Sequence, residues 1–291
     1  MGFRKLAFRR FLGALAGVLG GAGVAIAAAV AVAATAPAEE RVDIPADNVT
    51  LHATLYRPEG DGPFPAVVAL HDCGGLVQRP AAQAQLYGEW AKFLVGKGYA
   101  VLFPDSFGSR GLGPQCREAH RKVRAWRERV TDANAARRWL QTQSFIRPDR
   151  VSLIGWANGG SAALWTVRRT ASPHNDGADF RSAIALYPGC RRLRESAWSA
   201  RVPTLILVGA ADDWKPAGLC QQMVAGARGR SARAEIVVYP GAYHGFDRAN
   251  APIRIRTGLV NTADPSGRAH GGTNPAARND ALKRVPVWLE K

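Results

Sequence analysis

An acyl-transfer site needs a nucleophile, a base, an acid to orient the base, and N–H donors for an oxyanion. The segment Val151 to Ile154 is apolar and runs into Gly155-Trp156-Ala157-Asn158-Gly159-Gly160. A turn of the form G-x-Ser-x-G between a strand and a helix lifts a hydroxyl above a sheet. The glycine frame is intact here, but its centre is Ala157, a methyl group where an oxygen or sulfur would attack. Upstream, His71-Asp72-Cys73-Gly74-Gly75-Leu76 is a turn whose glycines free the backbone to aim N–H groups at developing charge. By position, the N–H groups of Cys73 and Asn158 form the donor pair. Downstream, the loop Gly209-Ala210-Ala211-Asp212-Asp213-Trp214 offers Asp212 at the G-x-x-D spacing, with Asp213 as the neighbouring alternative. An acid there orients a histidine and stabilises its imidazolium form. His244, in Tyr243-His244-Gly245-Phe246-Asp247, follows the last strand-like run and is placed to act as general base.

Each motif alone has an ordinary reading: a glycine turn, an Asp–Asp turn or helix cap, a solvated loop histidine. His52 falls in an early strand, His71 opens the glycine turn, His120 sits on a charged helix, and His174 and His270 fall in polar loops. Only His244 stands in a glycine-flanked loop after a final strand. No neighbour replaces the missing nucleophile: Ser161 lies one helical turn past Ala157, pointing along the helix, and Cys73 belongs to the opposite side of the pocket.

These loops need a scaffold. Apolar runs at Ala66–His71, Tyr99–Phe103, Val151–Gly155, Ala183–Tyr187, Thr204–Val208 and Glu235–Tyr239 read as strands buried on both faces, and Val49–Tyr56 as an earlier antiparallel strand. Helical patterns alternate with them at about 81–97, 117–142, 159–170, 217–228 and 275–290. That alternation predicts a single α/β domain, a mostly parallel sheet with helices on both faces, with its site at the carboxyl ends of the strands. The chain order of position 157, Asp212 and His244, each after a buried strand, is the order of the α/β-hydrolase fold.

Composition bounds the setting. The 291-residue chain opens with Arg4, Lys5, Arg9 and Arg10, then an uncharged stretch from Phe11 to Val32, then small residues before Pro37-Ala38-Glu39-Glu40. This is the layout of a secretory signal over residues 1–36, with an uncleaved anchor as the alternative; Arg9-Arg10 is only a weak twin-arginine match. The expected location is outside the cytoplasm, periplasmic or secreted, or held at the inner membrane if the segment is retained. Residues 37–291 then form the domain. The formal charge of +16, less those four basic residues, leaves about +12. Much of it lies in Arg117–Arg129, where basic residues surround the expected helix instead of marking one stripe, so a solvated helix is favoured over a nucleic-acid face. Attraction to an anionic substrate or membrane surface stays open. Four cysteines, Cys73, Cys116, Cys190 and Cys220, allow two disulfides in three pairings, and no Cys/His spacing suits a metal.

Together, His71-Asp72-Cys73-Gly74-Gly75, Asp105-Ser106-Phe107-Gly108-Ser109-Arg110-Gly111, Gly155-Trp156-Ala157-Asn158-Gly159-Gly160, Asp212-Asp213-Trp214 and His244-Gly245-Phe246 make the chain from Val49 to Leu289 resemble the dienelactone hydrolase family. The resemblance implies hydrolysis of esters or lactones through an acyl-enzyme, with no metal or organic cofactor. It implies His244 as base, Asp212 as its orienter, Cys73 and Asn158 as oxyanion donors, and Asp72 as an acid near the nucleophile. It also implies the pairs Cys73–Cys116 and Cys190–Cys220. Trp156, Phe107, Trp214 and Phe246 are candidate aromatic walls and Arg110 a candidate carboxylate holder, unless they pack the core and brace a loop.

The expected partner is a small ester or lactone, with no nucleic acid and no membrane beyond the N-terminal segment. Ala157 departs from the family and reads as a natural loss or a replacement made by hand; the retained export segment favours a natural one. The function is then that of an exported ester or lactone hydrolase lacking its nucleophile, or of a ligand-binding relative that keeps the pocket. Hydrolysis by a water molecule activated by His244 is a third reading.

Overall fold

A computed structural model describes Gly2 and residues 38–76, 81–169 and 177–291. The export-signal reading falls on the N-terminal segment, outside the described residues, as does His174. Among the described residues no helix is long and apolar enough to cross a membrane.

In chain order the sheet strands are β1 (Ala38–Ala46), β2 (Val49–Arg57), β3 (Phe64–Leu70), β4 (Ala100–Pro104), β5 (Ile146–Trp156), β6 (Ala183–Leu186), β7 (Thr204–Gly209) and β8 (Ala234–Tyr239). A two-stranded hairpin follows, β9 (Arg254–Arg256) with β10 (Ala269–Gly271). The helices are α1 (Ala81–Val95), α2 (Glu128–Gln141), α3 (Asn158–Thr166), α4 (Arg191–Glu195), α5 (Ala217–Gly226) and α6 (Pro275–Leu289). The eight strands form one sheet in the order β1-β2-β4-β3-β5-β6-β7-β8. The β1–β2 and β2–β4 pairs are antiparallel and the rest are parallel. This is the expected α/β architecture.

Strand periodicity builds the two cores. In β3, Ala66, Val68 and Leu70 face one side while Val67 and Ala69 face the other. In β7, Ile206 and Val208 join the first side and Leu205 and Leu207 the second. The first layer is covered by α2, α3 and α5 through Ala133, Leu140, Ala163, Leu164 and Met223. The second is covered by α1 and α6 through Trp90, Leu94, Ala281 and Trp288. With apolar cover on both faces, the parallel strands carry no polar alternation. Helix α6 begins where the Asn274 side chain accepts from the Ala277 N–H at 3.0 Å, with Pro275 at its first position.

The order of strands fixes the site. From β3 the chain moves to β4 on one side and returns to β5 on the other, so the crevice lies over the carboxyl ends of β3 and β5. The turns carrying Cys73 and Ala157 are thereby neighbours.

One expected helix is shortened at its N-terminal side. Only Glu128–Gln141 of the expected 117–142 is helical, and residues 117–127 follow turns and bends. The physical reason is a tether: Cys116 is disulfide-bonded to Cys73, and the Gln115 N–H donates to the Cys73 carbonyl at 2.7 Å. Arg121 Nε then donates to the Gln115 carbonyl at 2.9 Å, and Arg124 binds Glu128, Nη2 to Oε1 at 2.6 Å. The basic stretch is drawn over the site and is no free solvated helix. The second disulfide joins Cys190 to Cys220, so both pairs are those the resemblance implies.

Candidate active site

Position 157 has an unusual backbone. Ala157 stands between β5 and α3 at φ 50°, ψ −108°, outside the regions an alanine ordinarily adopts. Its N–H donates to the Leu186 carbonyl at 2.9 Å, so that group is already used. The tight turn depends on its glycines: a Cβ at Gly155 would run into the Gly159 carbonyl, and one at Gly159 into the carbonyl of Leu70. Ala157 has no electronic use for this strained geometry. The turn around it keeps the shape that a nucleophile requires.

The acid and base meet as the spacing suggests. His244 Nδ1 lies 2.8 Å from Asp212 Oδ2, and both side chains are buried. Asp212 Oδ1 accepts from the N–H groups of Trp214 at 2.9 Å and Lys215 at 2.8 Å, so the carboxylate is fixed from both ends. The imidazole is held between the rings of Tyr187, at 4.6 Å, and Trp214, at 4.5 Å. Asp213, the alternative acid, is engaged elsewhere: its Oδ2 lies 2.7 Å from His270 Nδ1 and its Oδ1 accepts the His270 N–H at 2.8 Å. His270 is therefore no solvated loop histidine. It belongs to β10 and ties the hairpin to the acid's loop, while the Gly272 N–H donates to the His244 carbonyl at 3.2 Å.

A cavity of about 890 Å³ opens over this arrangement. Cys73, Ala157, Asn158, Trp214 and His244 all contribute to its wall. Ser161 also lines it, but its hydroxyl donates to the Ala157 carbonyl at 3.1 Å and accepts the Gly189 N–H at 2.8 Å. That hydroxyl is committed to bracing the turn.

Other expected residues lie off the cavity wall. Trp156 is fully buried, donates from Nε1 to Asp247 Oδ2 at 2.8 Å and packs on Tyr87, Trp90 and Phe103. The alternation along β5 sends its side chain into the core beneath α1, away from the crevice. Phe107 is buried edge-on against His71, and Phe246 is buried against Tyr187 and Tyr239. Arg110 braces its loop: it donates to both oxygens of the buried Asp132, at 3.0 and 2.8 Å, and to the Ser106 carbonyl. Of the four aromatic wall candidates only Trp214 reaches the cavity. Asp72 is buried just beyond it, accepting the Gly74 N–H at 2.7 Å and lying 3.8 Å from the Arg248 guanidinium.

Three features of the site escaped the sequence reading. Asp247, three residues past His244, is fully buried and accepts from Trp90 Nε1, Trp156 Nε1 and the Tyr187 hydroxyl, each at 2.8 Å. Burial pushes its carboxyl upward, opposed by the Tyr187 hydrogen bond and the two indole donors, and the network fixes the Tyr187 ring on which His244 rests. Arg129, also fully buried, donates from Nη1 to Asn158 Oδ1 at 2.7 Å, holding the side chain of the residue after Ala157. Burial lowers its guanidinium to about 10, and its plane lies 5.3 Å from the Phe107 ring. Lys215 runs along the cavity wall to donate to the Asn261 carbonyl at 2.6 Å. Only the adjacency of Asp247 to the histidine motif could have signalled the first; the other two depend on distant segments meeting.

The mostly parallel sheet, the strained turn after β5 and the Asp–His pair after β7 and β8 define an α/β-hydrolase. The model of the dienelactone hydrolase family matches residues 51–291, and the chain belongs to that family, whose members hydrolyse esters and lactones. It is 28% identical over 216 residues to an uncharacterized protein of Mycobacterium tuberculosis, covering 68% of this chain and 69% of that one. It is 25% identical over 241 residues to a probable 2-oxo-3-(5-oxofuran-2-ylidene)propanoate lactonase of Bradyrhizobium, covering 77% and 92%. The crystal structure of a putative dienelactone hydrolase from Klebsiella pneumoniae superposes with a TM-score of 0.66 at 20% identity, covering 88% of this chain and all of the other.

Proposed function

We propose that this chain is an exported ester and lactone hydrolase of dienelactone-hydrolase type whose nucleophile position is occupied by Ala157. The observation that carries the reading is the strained turn at Ala157 facing the same cavity as an intact Asp212–His244 pair. With a serine or cysteine at 157, its oxygen or sulfur would attack the substrate carbonyl and give its proton to His244 Nε2. Asp212 would stabilise the imidazolium through Nδ1, and the N–H groups of Cys73 and Asn158 would receive the oxyanion. His244 would return the proton to the leaving alcohol, and water activated by His244 would release the acid. Export rests on the N-terminal segment and agrees with two disulfides, which persist outside the reducing cytoplasm.

Ala157→Ser tests the reading directly. Assayed on short acyl esters beside the parent chain, the serine variant is expected to gain at least about 100-fold in kcat/KM, with an acyl-enzyme detectable by mass spectrometry. A folded serine variant that shows no turnover and forms no acyl adduct overturns it.

One observation favours a second reading for the chain as it stands. The Ser161 hydroxyl is committed to the backbone of the turn, so it does not take over the missing attack. The parent chain would then bind a small ester, lactone or acid between Ala157 and His244 without cleaving it. Thermal-shift screening separates the cases: stabilisation by such a ligand should be lost in Ala157→Trp, which fills the cavity floor. Residual hydrolysis by the parent chain that disappears in His244→Ala would instead point to a water molecule activated by His244.

A further inference from the structure

Covalent hydrolysis lacks one part in this chain, but a second reaction lacks none. His244 Nδ1 meets the Asp212 carboxylate, which only accepts, so Nδ1 carries the proton and Nε2 an open lone pair. Among the described residues Nε2 has no hydrogen-bond partner, and the histidine lines the cavity. In a complete triad the hydrogen of the nucleophile would occupy that lone pair. The main-chain N–H groups of Cys73 and Asn158 are equally open. Among the described residues neither meets an acceptor, although the Cys73 carbonyl and the Asn158 side chain are both bonded.

The surroundings favour negative charge at those donors. Asn158 begins α3, so the positive end of a nine-residue helix lies at the same turn. Behind it the fully buried Arg129 guanidinium donates to Asn158 Oδ1, while its Nε and Nη2 meet no acceptor. A charge in so dry a setting acts more strongly than it would in water. Ala157 adds only a methyl group to the cavity wall, so no oxygen competes for the base.

We propose that the chain as it stands catalyses proton transfer at the carbon next to the carbonyl of a bound ester or lactone. His244 Nε2 takes the proton from the α-carbon, and the electron pair of that C–H bond moves into the carbonyl. The N–H groups of Cys73 and Asn158 receive the enolate oxygen. The imidazolium, held by Asp212, then returns the proton to the same carbon or, in a β,γ-unsaturated lactone, to the γ-carbon. The second course gives the conjugated isomer with no atom gained or lost. An enolate and a tetrahedral intermediate carry their charge on the same oxygen, so one pair of donors serves either reaction. Proton transfer thus shares its base and donors with hydrolysis and dispenses with the nucleophile.

The β,γ-unsaturated α-angelica lactone is the probe, given to the parent chain in heavy water. Proton NMR follows deuterium entering the α-carbon, conversion to the conjugated isomer, and ring opening to 4-oxopentanoate. The parent chain is expected to speed exchange at least about 100-fold over buffer, and His244→Ala to return it to the buffer rate. His244→Gln, closer to the imidazole in size, should do the same, with thermal melts checking that both variants fold. Asp212→Asn should slow exchange at least about tenfold, because the imidazolium loses its counter-charge. Ala157→Ser should also slow it, since the new hydroxyl engages Nε2, while ring opening appears. Exchange by the parent no faster than in buffer, exchange unchanged in both His244 variants, or ring opening without exchange overturns the proposal. An inactive parent beside an Ala157→Ser chain that cleaves esters sinks proton transfer and leaves the hydrolase reading standing. Exchange by the parent chain with no turnover in Ala157→Ser does the reverse.

Discussion

At the scale of single residues, an intact Asp212–His244 pair stands on the same cavity as a position that carries no nucleophile. His244 has its acid, its ring contacts and its cavity face in place, while Ala157 contributes geometry alone. Removing one member of such a triad typically leaves a residual rate about 10³–10⁴-fold above the uncatalysed reaction, from binding and the oxyanion donors. Lys215 makes a second residue-level statement, about pH. Its ammonium titrates near 8 in the folded chain against an ordinary value of 10.5. Between those two values the unfolded chain binds more protons, so this residue makes stability rise with pH across that window. Below about pH 8 its full unfavourable contribution is present. Urea-unfolding curves at pH 7.5 and pH 10 should therefore show a steeper gain for the parent than for Lys215→Met. Identical pH dependence in the two chains would contradict the buried, like-charged setting of this lysine.

At the scale of elements, the turn between β5 and α3 is the most constrained piece of the chain. Gly155, Gly159 and Gly160 let α3 start directly against the end of β3 and β6, where a Cβ on Gly160 would already stand 3.0 Å from the Gly155 and Leu186 carbonyls. Gly159→Ala places its methyl into the Leu70 carbonyl, a backbone atom of a central strand that has no room to yield. The expected cost is about 3 kcal/mol or more, read as a lowered urea midpoint with an unchanged slope, or as failure to accumulate folded protein. A variant as stable as the parent would show that the turn can relax. The hairpin of β9 and β10 is the complementary case, held beside the site by the Asp213–His270 clasp, by the Arg256 guanidinium 5.1 Å from the centre of the Trp214 ring, and by the Gly272 N–H that follows it and donates to the His244 carbonyl.

At the scale of the whole molecule, the two disulfides connect parts that the sheet alone does not. Cys73–Cys116 closes a separation of 43 residues and joins the turn after β3 to the basic segment over the cavity. Cys190–Cys220 closes 30 residues and joins the start of α4 to α5. Loop-closure arguments give each about 2–4 kcal/mol. Reduction under native conditions, or paired replacement of Cys73 and Cys116 by serine, should lower the melting temperature by several degrees. The same replacement should weaken ligand binding more than replacing Cys190 and Cys220, because it frees the turn that carries the Cys73 N–H. Equal loss of binding in both pairs would argue that the bridges act on stability alone.

Much of this was already determined by the amino-acid sequence. Uninterrupted apolar runs separated by helical patterns specify a parallel sheet, because strands covered on both faces carry no polar alternation. The ends of those runs carry glycine turns, an acid and a histidine in one chain order, which locates Cys73, Asn158, Asp212 and His244 before any coordinate is known. Ala157 and its glycine frame were legible in the same way, because a turn's requirements are local. Other features depended on segments far apart in the chain. Asp213 binds His270 across 57 residues, Asp247 gathers indoles from residues 90 and 156, and Arg129 reaches Asn158. The segment 117–127 has a helical pattern, but the bridge to Cys73 and the carbonyls it meets hold it over the cavity. Local propensity is worth tenths of a kcal/mol per residue, and a covalent tether with buried hydrogen bonds outweighs it. The basic residues became cavity wall for that reason, which the order of residues along the chain could not express.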